Sequence, residues 1–369
     1  MTLLAFVAVI GPLVFIHELG HYLVARWCGV KAEVFSIGFG PELLAWVDRR
    51  GTRWRVAALP LGGYVRFTGD MNAASQADPK WLELSPAERN ESFPGKPLWQ
   101  RAAIVAAGPL INLIFAVVLL GGLAMARGEM VAQPVVDMVA PGSAAQDAGL
   151  RKGDRIVSIM GRDVARFEDV ANIIGLRPAE PLAYVIERDG ERIEKTITAG
   201  TRIEEDRFGN VYRIGQLGIM STTLTQRPVS LFEAPAVGFR QAVAMTRTGL
   251  DGLGQIITGR RSMKELGGPL KIADISGQAA SLGFASYIMF MALISINLGF
   301  INLLPIPMLD GGHLLFYGIE AVQRRPVSSA TQEWAYRSGL AMLLTLMVLV
   351  TFNDLGSFGL WKSLSGLIG

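Results

Sequence analysis

Cysteine, charge and histidine are all scarce in this chain. Of 369 residues only Cys28 is a cysteine, so no intramolecular disulfide can form and the fold cannot depend on one in any compartment. It reads as a space-filling neighbour of Trp27. Charged residues make up 18% of the chain against 50% apolar, too greasy a balance for a purely soluble protein of two or three domains, so part of it belongs in lipid. The net charge is +3 and the basic residues are scattered among acidic ones, which leaves no electrostatic footprint for nucleic acid. No charge precedes Glu18. The N-terminus therefore lacks the basic start of a secretory signal, shows no clear cleavage site, and reads as a retained span.

What the chain does have is long uncharged apolar stretches, and about 20 such residues cross roughly 30 Å of hydrocarbon as a helix. Thr2 to Ala25 is apolar except for His17, Glu18 and His21, and Ala102 to Ala126 runs uncharged between Arg101 and Arg127. Ile275 to Leu309 is uncharged throughout, richest in large apolar residues from Phe284 to Leu304, and ends in the helix-breaking run Pro305-Ile306-Pro307. Gly339 to Phe352 is short and needs Trp334 and Tyr336 as interfacial anchors. Arg26, Lys31, Lys96 and Arg101 flank the first loop and Arg324 and Arg325 the last. This places both loops on the cytoplasmic side and the region from Arg127 to about Ala280 outside.

Between the first two spans, Thr52 to Phe67 reads as a hairpin, with Trp54 to Leu59 and Tyr64 to Phe67 as arms around Pro60 and Gly62-Gly63. Its apolar tip either dips into the bilayer or packs on its own domain. Ala73 to Gly95 is polar, contains Pro79, Pro86 and Pro94, and reads as a loop. From Arg127 to Gly200 the pattern changes to short strands at Val135 to Val139, Arg155 to Met160, Leu182 to Arg188 and Arg192 to Thr198. A helix is expected at Phe167 to Ile174 and a hairpin turn at Asp189-Gly190. Ala140-Pro141-Gly142-Ser143-Ala144 and Ala148-Gly149-Leu150-Arg151-Lys152-Gly153-Asp154-Arg155-Ile156 resemble a bacterial PDZ domain. Such a domain either binds peptide by strand addition or shields the membrane site. Ser230 to Gly259 is amphipathic and is expected on the membrane surface.

His17-Glu18-Leu19-Gly20-His21 has the form H-E-x-x-H. On a helix this puts two imidazoles at i and i+4 on one face, with the glutamate about 100° around, giving two zinc ligands and a nearby base. Two of the three histidines of the chain fall here, and ionisable residues inside a span are costly and mark function. A catalytic zinc takes three protein ligands and leaves one position for water. Asp310, the first charge after the third apolar segment, is a candidate for the third. It sits between prolines and glycines, which break the helix, and unwound backbone at membrane depth needs protein or a water-filled cavity around it. A bland alternative is that Asp310 caps a helix from about Gly312, and His313 is a rival ligand. Asn302 could bond a substrate backbone or freed carbonyls.

Together these residues resemble the site-2 protease family of intramembrane zinc metalloproteases, in particular bacterial members with PDZ domains related to the regulator of sigma-E protease (RseP). The matching features are His17 to His21, Ser36-Ile37-Gly38-Phe39-Gly40-Pro41, Pro60-Leu61-Gly62-Gly63-Tyr64-Val65, and Asn302 to Gly312. The resemblance implies that His17, His21 and Asp310 bind one Zn2+ and that Glu18 is the base. It also implies that Gly62, Gly63 and Tyr64 present an edge strand to unwound substrate and that Asn302, Pro305 and Pro307 help hold it. RseP has two PDZ domains in tandem, where this chain has room for one.

The expected fold is a multi-span α-helical membrane protein with about four transmembrane helices, a membrane-associated β-hairpin and an inserted α+β PDZ domain. Residues 1–126 form the first half of the membrane core, with the hairpin at 52–67, and 127–200 the PDZ domain. Residues 201–280 hold linker strands and the surface helix, and 281–369 the second half. The resemblance implies single-span membrane proteins as substrates, the bacterial inner membrane as location, and the PDZ domain on the periplasmic side with peptide contact there. Two rivals stand beside it. One is a non-catalytic membrane scaffold holding partner tails on its PDZ domain. The other is a metal or ion transporter, for which the only further intramembrane polar residues of note are Asn112, Asn297 and Asn302.

Overall fold

The computed structural model describes residues 2–70, 81, 85–205, 211–259 and 267–357. The chain divides into two compact units, Met1–Leu123 with Leu231–Gly369, and Ala124–Ser230.

The first unit opens with helix α1 (Thr2–Trp27), strands β1 (Ala32–Val47) and β2 (Arg53–Phe67), the short helix α2 (Pro86–Glu91) and helix α3 (Leu98–Arg127). Helix α2 lies in the stretch expected to be loop, where Ser85 and Glu88 form a reciprocal capping box. The rest of that loop, residues 73–80 and 82–84, lies outside the described residues.

The hairpin expected within Thr52 to Phe67 takes another form. Its two arms do not pair with each other, because β1 runs between them. Phe35 faces both Val65 and Trp54, and Ser36 both Tyr64 and Arg55, while the far half of β1, Glu42 to Val47, returns along Arg53 to Ala57. The sheet is thus laid out as Glu42–Val47, Arg53–Ala57, Val34–Ile37, Gly63–Arg66. Gly38 and Gly40 bend β1 at φ 89° and 87°, a backbone region that favours glycine. A side chain on Gly38 would also meet Leu59 O at 2.8 Å. The buried faces of Phe35, Val65 and Phe67 pack with Tyr22 and Ala25 of α1 and Ile104 of α3.

The second unit starts with β3 (Glu129–Ala132), β4 (Met138–Val139), α4 (Ala144–Asp147), β5 (Arg155–Ile159), β6 (Arg162–Asp163), α5 (Phe167–Gly175), β7 (Pro181–Arg188) and β8 (Glu191–Thr198). It continues through β9 (Gly200–Glu205), β10 (Val211–Gln216), β11 (Ile219–Met220) and β12 (Leu224–Arg227). A four-stranded sheet, β6-β5-β7-β8, carries the core. Leu182, Tyr184 and Ile186 alternate along β7 and are buried with Ile156, Ile159 and Ile197, the period-2 pattern of a half-buried strand. Asp189 and Gly190 both take positive φ, 53° and 85°, as the tight turn between β7 and β8 requires. The unit runs past the expected end at Gly200. Antiparallel pairing of β11 with β4 and of β12 with β3 closes it back on its start.

The first unit resumes with α6 (Ala234–Ile257), α7 (Pro269–Ser281), α8 (Phe284–Leu303), α9 (Asp310–Gln323) and α10 (Ser329–Ser357). Val237 and Ala242 of α6 are buried, Ala242 against Ala116 and Leu120 of α3 and Ala292 and Ile296 of α8, while Phe232 and Phe239 stay exposed.

Among the described residues, four helices are long and apolar enough to cross a membrane: Thr2–Trp27, Leu98–Arg127, Phe284–Leu303 and Ala330–Gly356. Two differ from expectation. The stretch Ile275 to Leu309 is divided by Gly283, whose φ of 106° ends α7 and starts α8. The last helix begins at Ser329, ten residues before the apolar run. Tyr336 is buried, with its hydroxyl 3.1 Å from His313 Nδ1, whereas Trp334 is exposed.

Candidate metal centre

Helix α1 carries His17 and His21 one turn apart, so their rings project from one face and meet edge to face with centroids 4.9 Å apart. Nε2 of His17 lies 3.3 Å from Nε2 of His21. Asp310 Oδ2 completes a triangle, 3.2 Å from His17 Nε2 and 3.6 Å from His21 Nε2. Among the described residues, these are the ones whose ligand atoms gather as a metal would need.

Neighbouring ligand atoms around a tetrahedral zinc with bonds of about 2.0–2.1 Å lie about 3.3 Å apart. The three edges here have that size, and two imidazoles with a carboxylate are a zinc donor set. The residues fit the ion.

Asp310 arrives through a reversal of the chain after α8. Leu304 leaves the helix in extended conformation, and bonds from Ile306 N to Leu304 O and from Leu309 N to Ile306 O turn the backbone. Met308 takes φ 83°, a strained value for a residue with a side chain. Gly311 and Gly312 then pass so close to the carbonyls of Leu303, Leu304 and Ile306 that a Cβ on either would overlap them. Helix α9 thus starts with Asp310 at its first turn. No side-chain cap bond forms there; the carboxylate faces the histidines.

Helix α3 backs the cluster. His21 donates from Nδ1 to the Ile104 carbonyl at 2.9 Å, which fixes the ring and leaves Nε2 to face the centre. Gly108, one turn on, leaves room for the His21 ring: a side chain there would overlap Nε2. Asn112, another turn on and fully buried, reaches His17 Nδ1 at 3.1 Å. None of these three was singled out as a site residue from the sequence. The signal was the four-residue spacing Ile104, Gly108, Asn112 inside a span, which has meaning only once α3 is packed on α1.

Glu18 is buried on the side facing β2, where the backbone of Val65 hydrogen-bonds its carboxyl. Gly63 makes this approach possible, since a Cβ there would lie 2.8 Å from Val14 Cγ1, 2.7 Å from Ser36 O and 3.0 Å from Glu18 Cγ. The stretch Gly63 to Phe67 pairs with β1 along one edge only. Its other edge borders a cavity of about 540 Å³.

The cavity takes in His17, Glu18, His21 and Asp310 together with Gly62, Gly63, Tyr64, Asn302 and His313. Pro305 and Pro307 do not line it. Pro305 is exposed, and Pro307 packs against Gly339 of α10. His313, the rival third ligand, engages Tyr336 through Nδ1 and stands outside the triangle.

Comparison with known proteins bears on this site. The profile of peptidase family M50 matches residues 5–346. The chain is 44% identical over 357 residues to "Putative zinc metalloprotease Atu1380" of Agrobacterium fabrum, covering 95% of each chain. It is 35% identical to "Metalloprotease MmpA" of Caulobacter vibrioides, covering 100% of this chain and 98% of the relative. Among solved structures, the PDZ domain of an SdrC-like protein from Listeria monocytogenes aligns over 24% of this chain and 85% of its own, with 18% identity and a TM-score of 0.20.

Proposed function

The chain belongs to peptidase family M50, the site-2 type of zinc metalloprotease acting within membranes, and from that premise we propose which of its residues carry the reaction. His17, His21 and Asp310 hold one zinc ion, and Glu18 is the general base. The observation that carries this reading is the triangle of ligand atoms with zinc-sized edges, open to a cavity that Glu18 also borders.

Zinc bound there supplies a Lewis acid that activates water and polarises a carbonyl. Glu18 takes the proton from the attacking water and delivers it to the leaving amine. Its burial and its bond from Val65 hold the carboxyl in one orientation beside the ligands. Asn302, across the cavity on α8, bonds the substrate backbone.

A transmembrane substrate protects its amides by internal hydrogen bonds and must unwind before attack. Adding it as a strand along the open edge at Gly62, Gly63 and Tyr64 offsets the lost bonds. The substrates are single-span membrane proteins, such as membrane-bound anti-sigma factors already trimmed outside, or remnant signal peptides.

The Ala124–Ser230 unit is a PDZ domain, on the strength of its Ala148 to Ile156 motif and strand order. It has a cavity of about 230 Å³ between α5 and the β10 and β11 strands, where a peptide strand is held. Lys and Arg beside the spans support an inner-membrane protein with this unit on the periplasmic side.

The test is Glu18→Gln in membranes carrying a transmembrane reporter. Cleavage is lost while zinc stays at one ion per chain, and His21→Ala loses the ion. Reporter cleavage by Glu18→Gln refutes the assignment of the base.

A further inference from the structure

Met308 lies two residues before Asp310, in the reversal that follows α8, at φ 83°. Among the described residues five other than glycine take positive φ, and of these Met308 alone lines the cavity at the zinc centre. Glycine enters this backbone region freely and residues with a side chain rarely do. Close by, Gly311 and Gly312 stand where a Cβ would overlap backbone. At position 308 it is φ itself that favours glycine, yet the chain keeps a long side chain there. A tight turn alone would be served better by glycine. Strain of this kind gathers at ligand sites, where the surroundings over-determine the conformation.

The side chain has apolar company from two further elements. Pro307, its neighbour, packs on Gly339 of α10, where a Cβ would overlap the proline. One turn further along that helix Leu343 lines the cavity, and so does Leu298, one turn before Asn302 on α8. Leu298, Met308 and Leu343 are all half-buried, so each keeps surface to offer a bound chain. They border the same cavity as His17, Glu18 and Asp310. A substrate added as a strand along Gly63 and Tyr64 sends successive side chains to opposite faces. Of the two side chains that flank the scissile bond, only one can therefore meet this apolar wall.

We propose, on the footing that His17, His21 and Asp310 hold zinc and Glu18 is the base, that Met308 determines specificity. With Leu298 and Leu343 it closes a subsite for one side chain flanking the scissile bond, sized for an aliphatic residue such as leucine and closed to aromatic ones. Its unbranched thioether adapts to the shape of an aliphatic partner. The positive φ is the strain that keeps this side chain in the cavity wall, and it is why glycine does not stand there.

The experiment measures kcat/KM of the full chain in detergent on a transmembrane reporter whose cleaved bond is mapped by mass spectrometry of the products. Each flanking residue of the reporter is set in turn to Leu, Phe and Trp. Wild type, Met308→Gly, Met308→Leu and Glu18→Gln are compared, with zinc counted per chain. Wild type is expected to favour Leu over Phe and Trp at one of the two flanking positions. Met308→Gly, which accepts φ 83° without strain, is expected to move the Trp-to-Leu ratio at that position at least about tenfold toward Trp. The ratio at the other position should stay as in wild type. Met308→Leu, which keeps the bulk, is expected to retain the wild-type preference at both. A Trp-to-Leu ratio that Met308→Gly leaves unmoved, a uniform loss of cleavage on every reporter, or a shift in Met308→Leu as large as in Met308→Gly overturns the proposal. Cleavage by Glu18→Gln, or wild-type protein without zinc, instead overturns the assignment of the centre on which it rests.

Discussion

At the scale of single residues, the proposed zinc centre depends as much on missing side chains as on the three residues assigned as ligands. Gly108 lies against the His21 ring, and a methyl group there would overlap Nε2. Gly108→Ala must displace either the ring or α3, a strain of about 1–3 kcal/mol. We expect weakened zinc binding measured by chelator competition, with the helical content unchanged by circular dichroism. Gly63 has the same standing toward Glu18, although the ligands are untouched. Gly63→Ala is therefore expected to lower the rate of reporter cleavage while zinc affinity holds, which separates positioning of the base from metal binding. The two histidines and the glutamate were legible in the sequence because a five-residue motif on a helix fixes their relation locally. The glycines were not, because what a glycine leaves room for comes from another element.

At the scale of elements, the Ala124–Ser230 unit is tied by Asp154, which is buried and accepts from Arg188 Nε and Nη2 at 2.7 Å each and from Arg151 N at 2.8 Å. Burial pushes this carboxyl up, but the bonds from Arg188 and Arg151 and the arginine charge win and hold it below the ordinary carboxylate range. A group whose folded pKa is depressed stabilises fully above the unfolded pKa, about 3.9 for aspartate, and that contribution is lost as pH falls through the lower folded value. Asp154→Asn is thus expected to destabilise the unit by about 3 kcal/mol at pH 7. The gap from wild type should narrow as the pH is taken below the ordinary carboxylate range. A denaturant midpoint followed by a fluorophore on Glu191→Cys measures both. The strands β5, β7 and β8 were readable from alternation and from the Asp189-Gly190 turn. The pairing of β11 with β4 and β12 with β3 was not, since those partners lie about eighty and ninety residues apart in sequence and short strands carry no local mark of whom they meet.

At the scale of the whole molecule, the topology proposed from the uncharged spans and the Lys and Arg beside them can be measured directly. In a Cys28→Ser background, Glu191→Cys is expected to react with a membrane-impermeant maleimide added to spheroplasts, and Arg325→Cys only after the cells are opened. The reverse pattern refutes the orientation. The fourth span shows the limit of reading hydropathy alone. The apolar run from Gly339 suggested a short helix with aromatic anchors, but the helix starts at Ser329, because polar Ser329 to Ser338 form helix as readily as the apolar run when Tyr336 packs against His313 and Phe316.

The sequence by itself determined the class of chemistry. Two imidazoles and a carboxylate within about one turn of an otherwise uncharged apolar stretch have a fixed mutual geometry and a cost in lipid that only function explains. Tertiary structure alone decided the rest of the centre. Asp310 reaches His17 and His21 from nearly three hundred residues away only because the backbone reverses over Leu304 to Leu309 and two glycines let it fold tightly. Ile104, Gly108 and Asn112 stand behind the histidines only because α3 packs on α1. Likewise β1 separates the two arms of the expected hairpin, leaving Gly63 to Phe67 as an open edge on the cavity. Local propensity specifies a helix or a motif, but which faces meet is set by burial across the whole unit, and the second half of this site exists only in that packing.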